Sequence, residues 1–439
     1  MLPFPPPLDE STFARLMQTV GPFETRPKIA VAVSGGPDSM ALCGLMVRWT
    51  RLHGGETVAL TVDHQLRADS SHEAQLVGKR LVALGIRHHV LTRTGPPLQA
   101  DIQARARVAR YQLLEDWCQQ EGALHLALAH HQDDQAETVL LRLARGSGLR
   151  GLAAMAPIVY RRHMRLVRPL LTVTRARLQA TCIAYDLAWM DDPCNQDQAF
   201  SRVRIRRLLP LLAEEGIDAS RLAKTSRHLL RAGIVVNKAV ATLLAKHADV
   251  HPFGFAWLDT AGLVSSPHEV ALRVLACLLT VVGGRIYPPR LRQLEALHEA
   301  IFAQTMQGGR TLAGCLVRPS LARGSLLLCR EPYAVDTAKS VLPGKCFRWD
   351  GRFTIIISRT APTGSKIGAL GRVGWSGVTA VRPALTCLPA CVGYTLPALH
   401  VPSGHIQPLL PVGEFCHEDL RGESATTMAV FAPDTPASV

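Results

Sequence analysis

The sequence has no long apolar run and no leader of the usual secretory kind. Its most apolar uncharged stretch, near Val274 to Gly284, falls far below the ~20 residues that span a bilayer. The N-terminal stretch, MLPFPPPLDE, is rich in proline and has no basic residue, a composition that argues against a signal helix. We therefore expect a cytoplasmic protein with no transmembrane helix.

The chain also lacks the cysteine spacing of a metal clip or a redox pair. Its 11 cysteines are an odd number scattered over 439 residues, which favours reduced core thiols over a disulfide framework. Cys387 and Cys391 have three residues between them rather than the usual two. The sequence therefore predicts neither a zinc site nor an iron–sulfur cluster.

One segment has neither lysine nor glutamate. Between Thr138 and Arg207 there are 13 arginines and four aspartates, a local charge of +9 within a chain of net charge +14. Because arginine binds phosphate through two parallel hydrogen bonds, an arginine-only segment fits phosphate contacts better than it fits solubility alone. This pattern favours a nucleic acid or nucleotide partner.

The most informative stretch is Lys28 to Ser39, KIAVAVSGGPDS. Ile29 to Val33 reads as a buried strand and Ser39 to Trp49 as a helix that begins after Pro37. No Gly-Lys-Ser/Thr follows, so the common P-loop is excluded. Gly35 and Gly36 can take positive φ and turn backbone N–H groups towards an anion, which predicts a phosphate site. The alternative is a tight strand-to-helix turn without a ligand.

The following residues repeat the strand-and-helix alternation of a doubly wound parallel sheet. Ligands bind at the carboxyl ends of such strands, where Asp63 and the segment from His130 to Thr138 are expected. The predicted strands are Thr57 to Val62, Arg87 to Thr92 and Leu124 to Ala129, and the predicted helices are Ser70 to Leu84 and Asp101 to Gln120.

Two histidines and three acids stand together in the run HHQDDQAE. Asp134 and Glu137 lie three apart and share one face of the expected helix. Such a group is compatible with a metal site, with acidic capping of a helix N-terminus, or with a catalytic cluster. The residues by themselves leave these three readings open.

A resemblance to one superfamily, and within it to one family, favours one of these three readings. SGGPDS resembles the pyrophosphate loop of the N-type ATP pyrophosphatases, also called the PP-loop superfamily. The runs VDHQLR, IQARARVARY, AHHQDDQAETVLLRLARGSGLRGL, RPLL and DDPCNQDQAFSRVRIR resemble, in order, the motifs of the tRNA(Ile)-lysidine synthetase family over roughly Lys28 to Leu212. Two positions depart from that family, Gln103 where a glutamate is common and Val203 where an asparagine is usual.

The resemblance implies an enzyme that uses ATP and Mg²⁺ to join free L-lysine to C2 of the wobble cytidine of a minor tRNA(Ile) with the anticodon CAU. An adenylated cytidine would be the intermediate, and lysine's ammonium must lose a proton before it can attack. Residues expected to bind ATP are Ser34, Gly35, Gly36, Pro37, Asp38, Ser39 and Asp63, with Asp38 also holding Mg²⁺. Residues expected to be catalytic are Asp38, Arg110, His130, Asp134 and Glu137.

Basic residues in two places are expected to contact the tRNA. Arg145 and Arg150 flank a glycine-rich turn, and three arginines begin a helix at Ser201 that should end before Pro210. These three are Arg202, Arg204 and Arg206. The expected partners are tRNA(Ile) and free L-lysine, with no membrane, and a homodimer is left open.

Three segments of different character predict three domains. Residues 1–215 form the catalytic PP-loop domain, residues 216–303 a helical domain that positions tRNA, and residues 304–439 a small α+β domain that could contact the acceptor stem. The strands expected in the last segment are Thr311 to Val317, Ser325 to Cys329 and Phe353 to Ile357.

Two other functions remain to be separated from this one. A PP-loop tRNA thiolase would also adenylate a tRNA base, but it is expected to carry cysteines with a two-residue gap, and this sequence has none. A non-catalytic ATP- and RNA-binding protein would have no reason to keep Asp38, His130, Asp134 and Glu137 at neighbouring strand ends.

Overall fold

A computed structural model of the chain describes residues 5–65, 70–95, 102–161, 163–190, 201–410 and 427–433, without the side chains of residues 102–104 and 321. Gln103 and the motif run 191–200 therefore lie outside what can be compared with the expectations above. The chain divides into two compact units, Met1–Gly233 and Ile234–Val439.

The first unit is built on a six-stranded sheet in the order β3-β2-β1-β4-β6-β5. All neighbouring strands are parallel except β5, which runs antiparallel to β6 at the edge. The predicted α/β class with a doubly wound sheet is confirmed. The strands are β1 (Lys28–Ala32), β2 (Glu56–Asp63), β3 (Arg87–Thr92), β4 (His125–Ala127), β5 (Ile158–Tyr160) and β6 (Arg165–Val167).

Helices cover both faces of this sheet, which explains why β1 is apolar and buried from Ile29 to Ala32. In β1, Ile29 and Val31 belong to one core, while Ala30 and Ala32 belong to another on the opposite face. The helices are α1 (Glu10–Gln18), α2 (Pro37–Leu52), α3 (Ser70–Ala83), α4 (Ile102–Glu121), α5 (Gln132–Leu143), α6 (Leu149–Leu152), α7 (Arg175–Ala184), α8 (Ser201–Glu214) and α9 (Ala219–His247).

Helix α8 corrects one expectation. It continues through Pro210 to Glu214, whereas the proline was expected to end it. A proline removes one backbone hydrogen bond and crowds the preceding turn, but a helix held by other contacts can absorb this cost. Val203, where the family usually has asparagine, is buried, so this face of α8 is anchored by packing.

Helix α9 corrects the expectation that the chain has no helix long and apolar enough to span a membrane. Its length and composition alone would allow it to span a bilayer, since its most apolar part has a mean hydropathy of 1.3. Of that part, 11% is buried within the protein. Length and hydropathy are weak criteria for one helix. Val240 and Leu243 of α9 are buried in the apolar core of the second unit.

In its described residues, the second unit contains three sheets and, after α9, α-helices of four to 16 residues. Its largest sheet has five strands in the order β7-β8-β11-β10-β9, and the other two have the orders β12-β15-β16-β17 and β13-β14-β18. The strands of the largest sheet are β7 (Ala248–His251), β8 (Phe255–Asp259), β9 (Arg310–Leu312), β10 (Cys315–Ser320) and β11 (Ser325–Arg330).

The remaining elements follow the same chain order. The strands are β12 (Lys339–Ser340), β13 (Cys346–Trp349), β14 (Phe353–Ile356), β15 (Lys366–Ala369), β16 (Pro397–His400), β17 (Ile406–Pro408) and β18 (Met428–Phe431). The helices are α10 (Thr260–Val264), α11 (His268–Gly283), α12 (Leu291–Phe302), α13 (Gly371–Val381) and α14 (Ala390–Gly393).

Two details of the second unit differ from the sequence expectations. The run Thr311 to Val317 is not one strand, because Ala313 and Gly314 take positive φ and turn the chain between β9 and β10. Strands β7 and β8 lie inside the segment 216–303 that was expected to be helical, and β8 pairs with β11. One sheet thus joins strands from both expected C-terminal segments, and the proposed three-way division stays a prediction.

Candidate active site

The glycine-rich loop between β1 and α2 is closed by its own serines. Ser39 Oγ accepts a hydrogen bond from the Ser34 backbone N–H at 3.2 Å and donates to the Gly36 carbonyl at 3.0 Å. Gly35 has φ +86, a conformation that favours glycine. Gly36 instead has φ −75 and caps α2, so only one of the two glycines needs the positive φ that the sequence suggested for both.

The loop after β4 meets this loop because β1 and β4 are parallel neighbours. Here the strand order changes direction, which is where open α/β sheets bind ligands. Asp38, in the first turn of α2, places Oδ2 3.5 Å from Nε2 of His131, the residue that caps α5. His131 therefore joins the phosphate loop to the acid cluster.

His131 is surrounded by carboxylates. Its Nδ1 lies 3.4 Å from Oδ2 of Asp133, and its Nε2 lies 3.5 Å from Oδ2 of Asp134. Burial by itself lowers the pKa of His131, but the carboxylates of Asp133, Asp38 and Asp134 outweigh it and raise the pKa to about 10. His131 is consequently an imidazolium at neutral pH and cannot accept a further proton.

The carboxylates on α5 have different partners. Asp134 accepts a hydrogen bond from the His131 backbone N–H at 3.1 Å. One turn later, Glu137 is buried and accepts from Arg206 Nε of α8 at 2.7 Å, while its second oxygen, Oε2, is buried with no hydrogen-bond partner. Burial raises the pKa of Glu137 and the Arg206 charge offsets this only in part.

His130 has the opposite environment to His131. Its Nδ1 lies 3.3 Å from Nε of Arg168, which directly follows β6. Burial, Arg168 and Arg110 hold the pKa of His130 well below its ordinary value, so the ring is neutral. Two adjacent histidines at one sheet edge are thus in different protonation states.

A cavity of about 230 Å³ lies at the carboxyl ends of β1 and β2. It is lined by Ser34, Asp63, His64 and Arg110, among others. Both oxygens of Asp63 already accept hydrogen bonds, Oδ1 from Ser70 Oγ and the Gln65 backbone and Oδ2 from Ser71 Oγ. Asp63 therefore shapes this cavity, and its predicted contact with ATP stays a prediction.

The arginines expected to bind tRNA lie at the surface of the first unit. Arg145 is exposed on the turn after α5 and Arg150 is exposed in α6, while Arg202 and Arg204 are exposed on α8. The pKa of Arg142 is lowered first by burial and then by the charges of four nearby arginines, which are Arg150, Arg107, Arg145 and Arg202. Arg206 stands apart from these residues, because it is half-buried against Glu137.

The site thus contains residues that sequence reasoning passed over. His131 was seen only as one of two histidines, and Asp133 as one of three acids. Their signal was positional, since a residue just before a helix at a switch point faces the neighbouring loop. Arg168 stood inside the quoted run RPLL without a role, although it directly follows a strand at the same sheet edge.

The side chains of the site favour magnesium over a metal held by protein ligands alone. In the described part of the chain, no group of three or more His, Cys, Asp or Glu side chains is arranged to hold a metal. Magnesium needs less, because it keeps several waters and commonly uses one or two carboxylates together with substrate phosphates. Asp38 fits that use, since its Oδ1 is buried beside the phosphate loop with no hydrogen-bond partner.

Comparison with known proteins gives matches of two kinds. The PP-loop domain family matches residues 8–212. Among solved structures, a U34-tRNA thiolase from Methanococcus maripaludis with its [4Fe-4S] cluster is similar over 51% of this chain and 79% of its own, with 18% identity and a TM-score of 0.45.

Curated relatives match over much more of the chain. A tRNA(Ile)-lysidine synthase from Methylobacterium nodulans is 42% identical over 334 residues, which cover 74% of this chain and 97% of that protein. Another from Ruegeria pomeroyi is 38% identical over 355 residues, covering 80% of this chain and 82% of its own. With this similarity and the PP-loop sheet that carries the site, the chain belongs to the tRNA(Ile)-lysidine synthase family.

Proposed function

We propose that this protein, an ATP-dependent ligase acting on tRNA, joins free L-lysine to C2 of the wobble cytidine of a tRNA(Ile) with the anticodon CAU, in the cytoplasm. The observation that carries the proposal is the meeting of the phosphate loop and the acid cluster, where Asp38 Oδ2 lies 3.5 Å from His131 Nε2. The phosphate loop, which would serve activation of the base by ATP, therefore lies next to the acid cluster, which would serve the attack by the amine.

The first step needs a site for the triphosphate. The loop from Ser34 to Ser39 and the N-terminus of α2 offer backbone N–H groups and hydroxyls to phosphate oxygens. Asp38 would hold Mg²⁺, which supplies charge neutralisation on the phosphates. The cytidine O2 attacks the α-phosphorus, the bond to the β-phosphate oxygen breaks, and pyrophosphate leaves.

The second step needs a neutral amine. The ε-nitrogen of lysine attacks C2 of the adenylated cytidine, and the C2–O bond breaks as AMP leaves with that oxygen. Glu137 is our candidate for the group that takes the amine's proton, because its Oε2 is unpartnered and burial raises its pKa. His131 is already protonated at neutral pH and cannot do so. We assign the binding of lysine's ammonium to Asp134, which lies three residues before Glu137 on α5.

The tRNA must present one unstacked cytidine to this site. The exposed arginines on the turn after α5, in α6 and at the start of α8 lie on the unit that carries the phosphate loop. We assign Arg145, Arg150, Arg202 and Arg204 to phosphate contacts. The segments 216–303 and 304–439 would orient the body and the acceptor stem of the tRNA.

Asp38→Asn tests the role of the phosphate loop. The substitution keeps the side-chain shape but removes the charge that would hold Mg²⁺, so we expect AMP and pyrophosphate release to be abolished while tRNA binding stays nearly intact. Asp116→Asn, at an exposed aspartate of α4, is the matched control and should behave like the wild type.

The reaction products separate this function from its alternatives. AMP release that depends on both tRNA and lysine, with a matching mass increase in digested tRNA, is expected. Release that needs a sulfur donor instead of lysine would favour a thiolase. Tight tRNA binding without ATP consumption would favour a non-catalytic protein, and unchanged AMP release by Asp38→Asn would refute the role of Asp38.

A further inference from the structure

Arg168 is buried at the carboxyl end of β6, beside the candidate active site, and the steps above give it no role. Its backbone N–H donates to the Pro157 carbonyl at 2.8 Å, and its Nη1 donates to the Ala156 carbonyl at 2.7 Å. These bonds fix the guanidinium in place. Its Nε then points at Nδ1 of His130 at 3.3 Å.

The chemistry of the two groups settles which nitrogen of the histidine carries the proton. A guanidinium has donors only, so Nδ1 of His130 must be the acceptor and carry no hydrogen. In a neutral imidazole the proton is then on Nε2, which becomes a donor. Among the described residues, no other side chain or backbone group hydrogen-bonds to this ring.

The surrounding charges keep that state over a wide pH range. The groups that act on His130 besides Arg168 are Arg110, Arg107 and Arg202, from α4 and α8, and each disfavours a second positive charge. The carboxylates in the cluster lie around His131 instead. A donor held in this way needs no rearrangement when negative charge develops in front of it.

We propose that Arg168 is a positioning residue that holds His130 in the Nε2–H form, so that His130 donates a hydrogen bond to a reacting oxygen and does not act as a base. The identity of that oxygen rests on the proposed function, in which charge develops on the α-phosphate and on the departing AMP. The Nε2–H form of the His130 ring does not depend on the proposed function.

Histidine NMR on the full-length protein tests the ring without any substrate. In two-bond ¹H–¹⁵N spectra of ¹⁵N-histidine-labelled protein, with the His130 signals identified by their loss in His130→Gln, we expect a neutral Nε2–H ring at every pH across the neutral range. In Arg168→Met the Nδ1 acceptor loses its donor, so the proton should distribute between Nδ1 and Nε2 while the ring stays neutral, because burial and the remaining arginines still lower its pKa. An Nδ1–H ring or an imidazolium in the wild type at neutral pH would overturn the proposal.

Two substitutions of His130 then test what the donor does. A glutamine amide nitrogen can take the place of Nε2, whereas an asparagine amide nitrogen takes the place of Nδ1. We expect His130→Asn to lower the rate of lysine-dependent AMP release by about 10²–10³-fold, the usual loss for one such donor. His130→Gln should retain at least about ten times the rate of His130→Asn.

Arg168 itself is tested with a conservative partner. Arg168→Met should lower kcat more than it raises KM for ATP, because the donor form of His130 is no longer fixed, whereas Arg168→Lys, which keeps a donor, should restore part of the rate. Equal losses in His130→Gln and His130→Asn would refute the donor role. If neither wild type nor variants release AMP while the NMR result holds, the proposed function fails and the ring assignment stands.

Discussion

His130 and His131 are adjacent, yet the structure gives them different charges, one ring neutral and the other positive. His131 lies among three carboxylates that raise its pKa to about 10, while burial and nearby arginines lower the pKa of His130. The side chains of consecutive residues outside a helix point in different directions, so each ring samples a different part of the fold. One ring is therefore suited to bind anionic groups and the other to donate a neutral N–H.

The charge on His131 predicts a specific pH dependence of stability. Because its folded-state pKa is raised from 6.5 to about 10, the stabilisation is fully present below pH 6.5 and is lost as the pH rises through about 10. The free energy of unfolding should fall more steeply in the wild type than in His131→Gln, by up to about 1.4 kcal/mol per pH unit. Urea unfolding of both proteins between neutral pH and pH 10 measures this difference.

The two curves should converge near pH 10, because the variant has no imidazolium to lose. Parallel curves over this range would show that His131 is neutral in the folded protein. That outcome would also reopen the assignment of the base, since a neutral His131 could accept a proton from lysine.

At the scale of elements, the turn from β1 into α2 constrains its two glycines unequally. A Cβ on Gly35 would lie 2.6 Å from Cγ2 of Val77 and 3.0 Å from Cε of Met190, in addition to its φ of +86. A Cβ on Gly36 would meet only Ser34 Oγ, at 3.8 Å. The two glycines look alike in the sequence but are constrained very differently.

Gly35→Ala and Gly36→Ala therefore form a matched pair. We expect Gly35→Ala to lower the free energy of unfolding by at least about 1–2 kcal/mol, because alanine is strained in the left-handed backbone conformation. The close contact with Val77 should add to this loss, and ATP binding should weaken. Gly36→Ala should cost about 1 kcal/mol or less, since its backbone is extended and only the helix cap changes. Urea unfolding and ATP titration of both variants make the comparison.

The pair also separates backbone strain from ligand contact. If Gly36→Ala is as unstable as Gly35→Ala, the described geometry of the loop is wrong. If Gly36→Ala is stable but binds ATP poorly, a side chain there blocks the close approach of a phosphate, which supports the loop as the phosphate site.

In the whole molecule, helix α9 crosses the division between the two units at residues 233 and 234. Its first part buries Ala223 and Ser226, and its second part buries Val240 and Leu243. A protein that ends near residue 216 would lose the first part of this helix. The natural end for an isolated catalytic unit is therefore Gly233.

A protein of residues 1–233 should bind ATP as the full chain does but modify tRNA about a hundredfold more slowly. The expected loss comes from misplacement of the cytidine, because an error of about 1 Å can cost about that factor. ATP titration and lysine incorporation into limiting tRNA measure the two effects. A second protein of residues 1–215 should unfold more easily, and equal rates for residues 1–233 and the full chain would show that the second unit does not position the tRNA.

Much of the first unit could be predicted because its signals are local. The β-branched run before Ser34, the turn chemistry of the loop and the spacing of Asp134 and Glu137 each depend on a few neighbouring residues. The fold class, the family and strands such as β3 were predictable from these patterns. Local signals also misled, since Pro210 does not end α8, whose buried Val203 packs against the rest of the unit.

What the sequence by itself determined is the chemistry available: a phosphate loop, a paired-histidine acid cluster and an arginine-rich segment. What only the tertiary structure decided is which of these groups face each other. The contact of Asp38 with His131, the bond from Arg168 to His130 and the pair of Glu137 with Arg206 join residues far apart in the chain. Protonation depends on burial and on the nearest charges in space, so it becomes defined only when the sheet brings those residues to one edge.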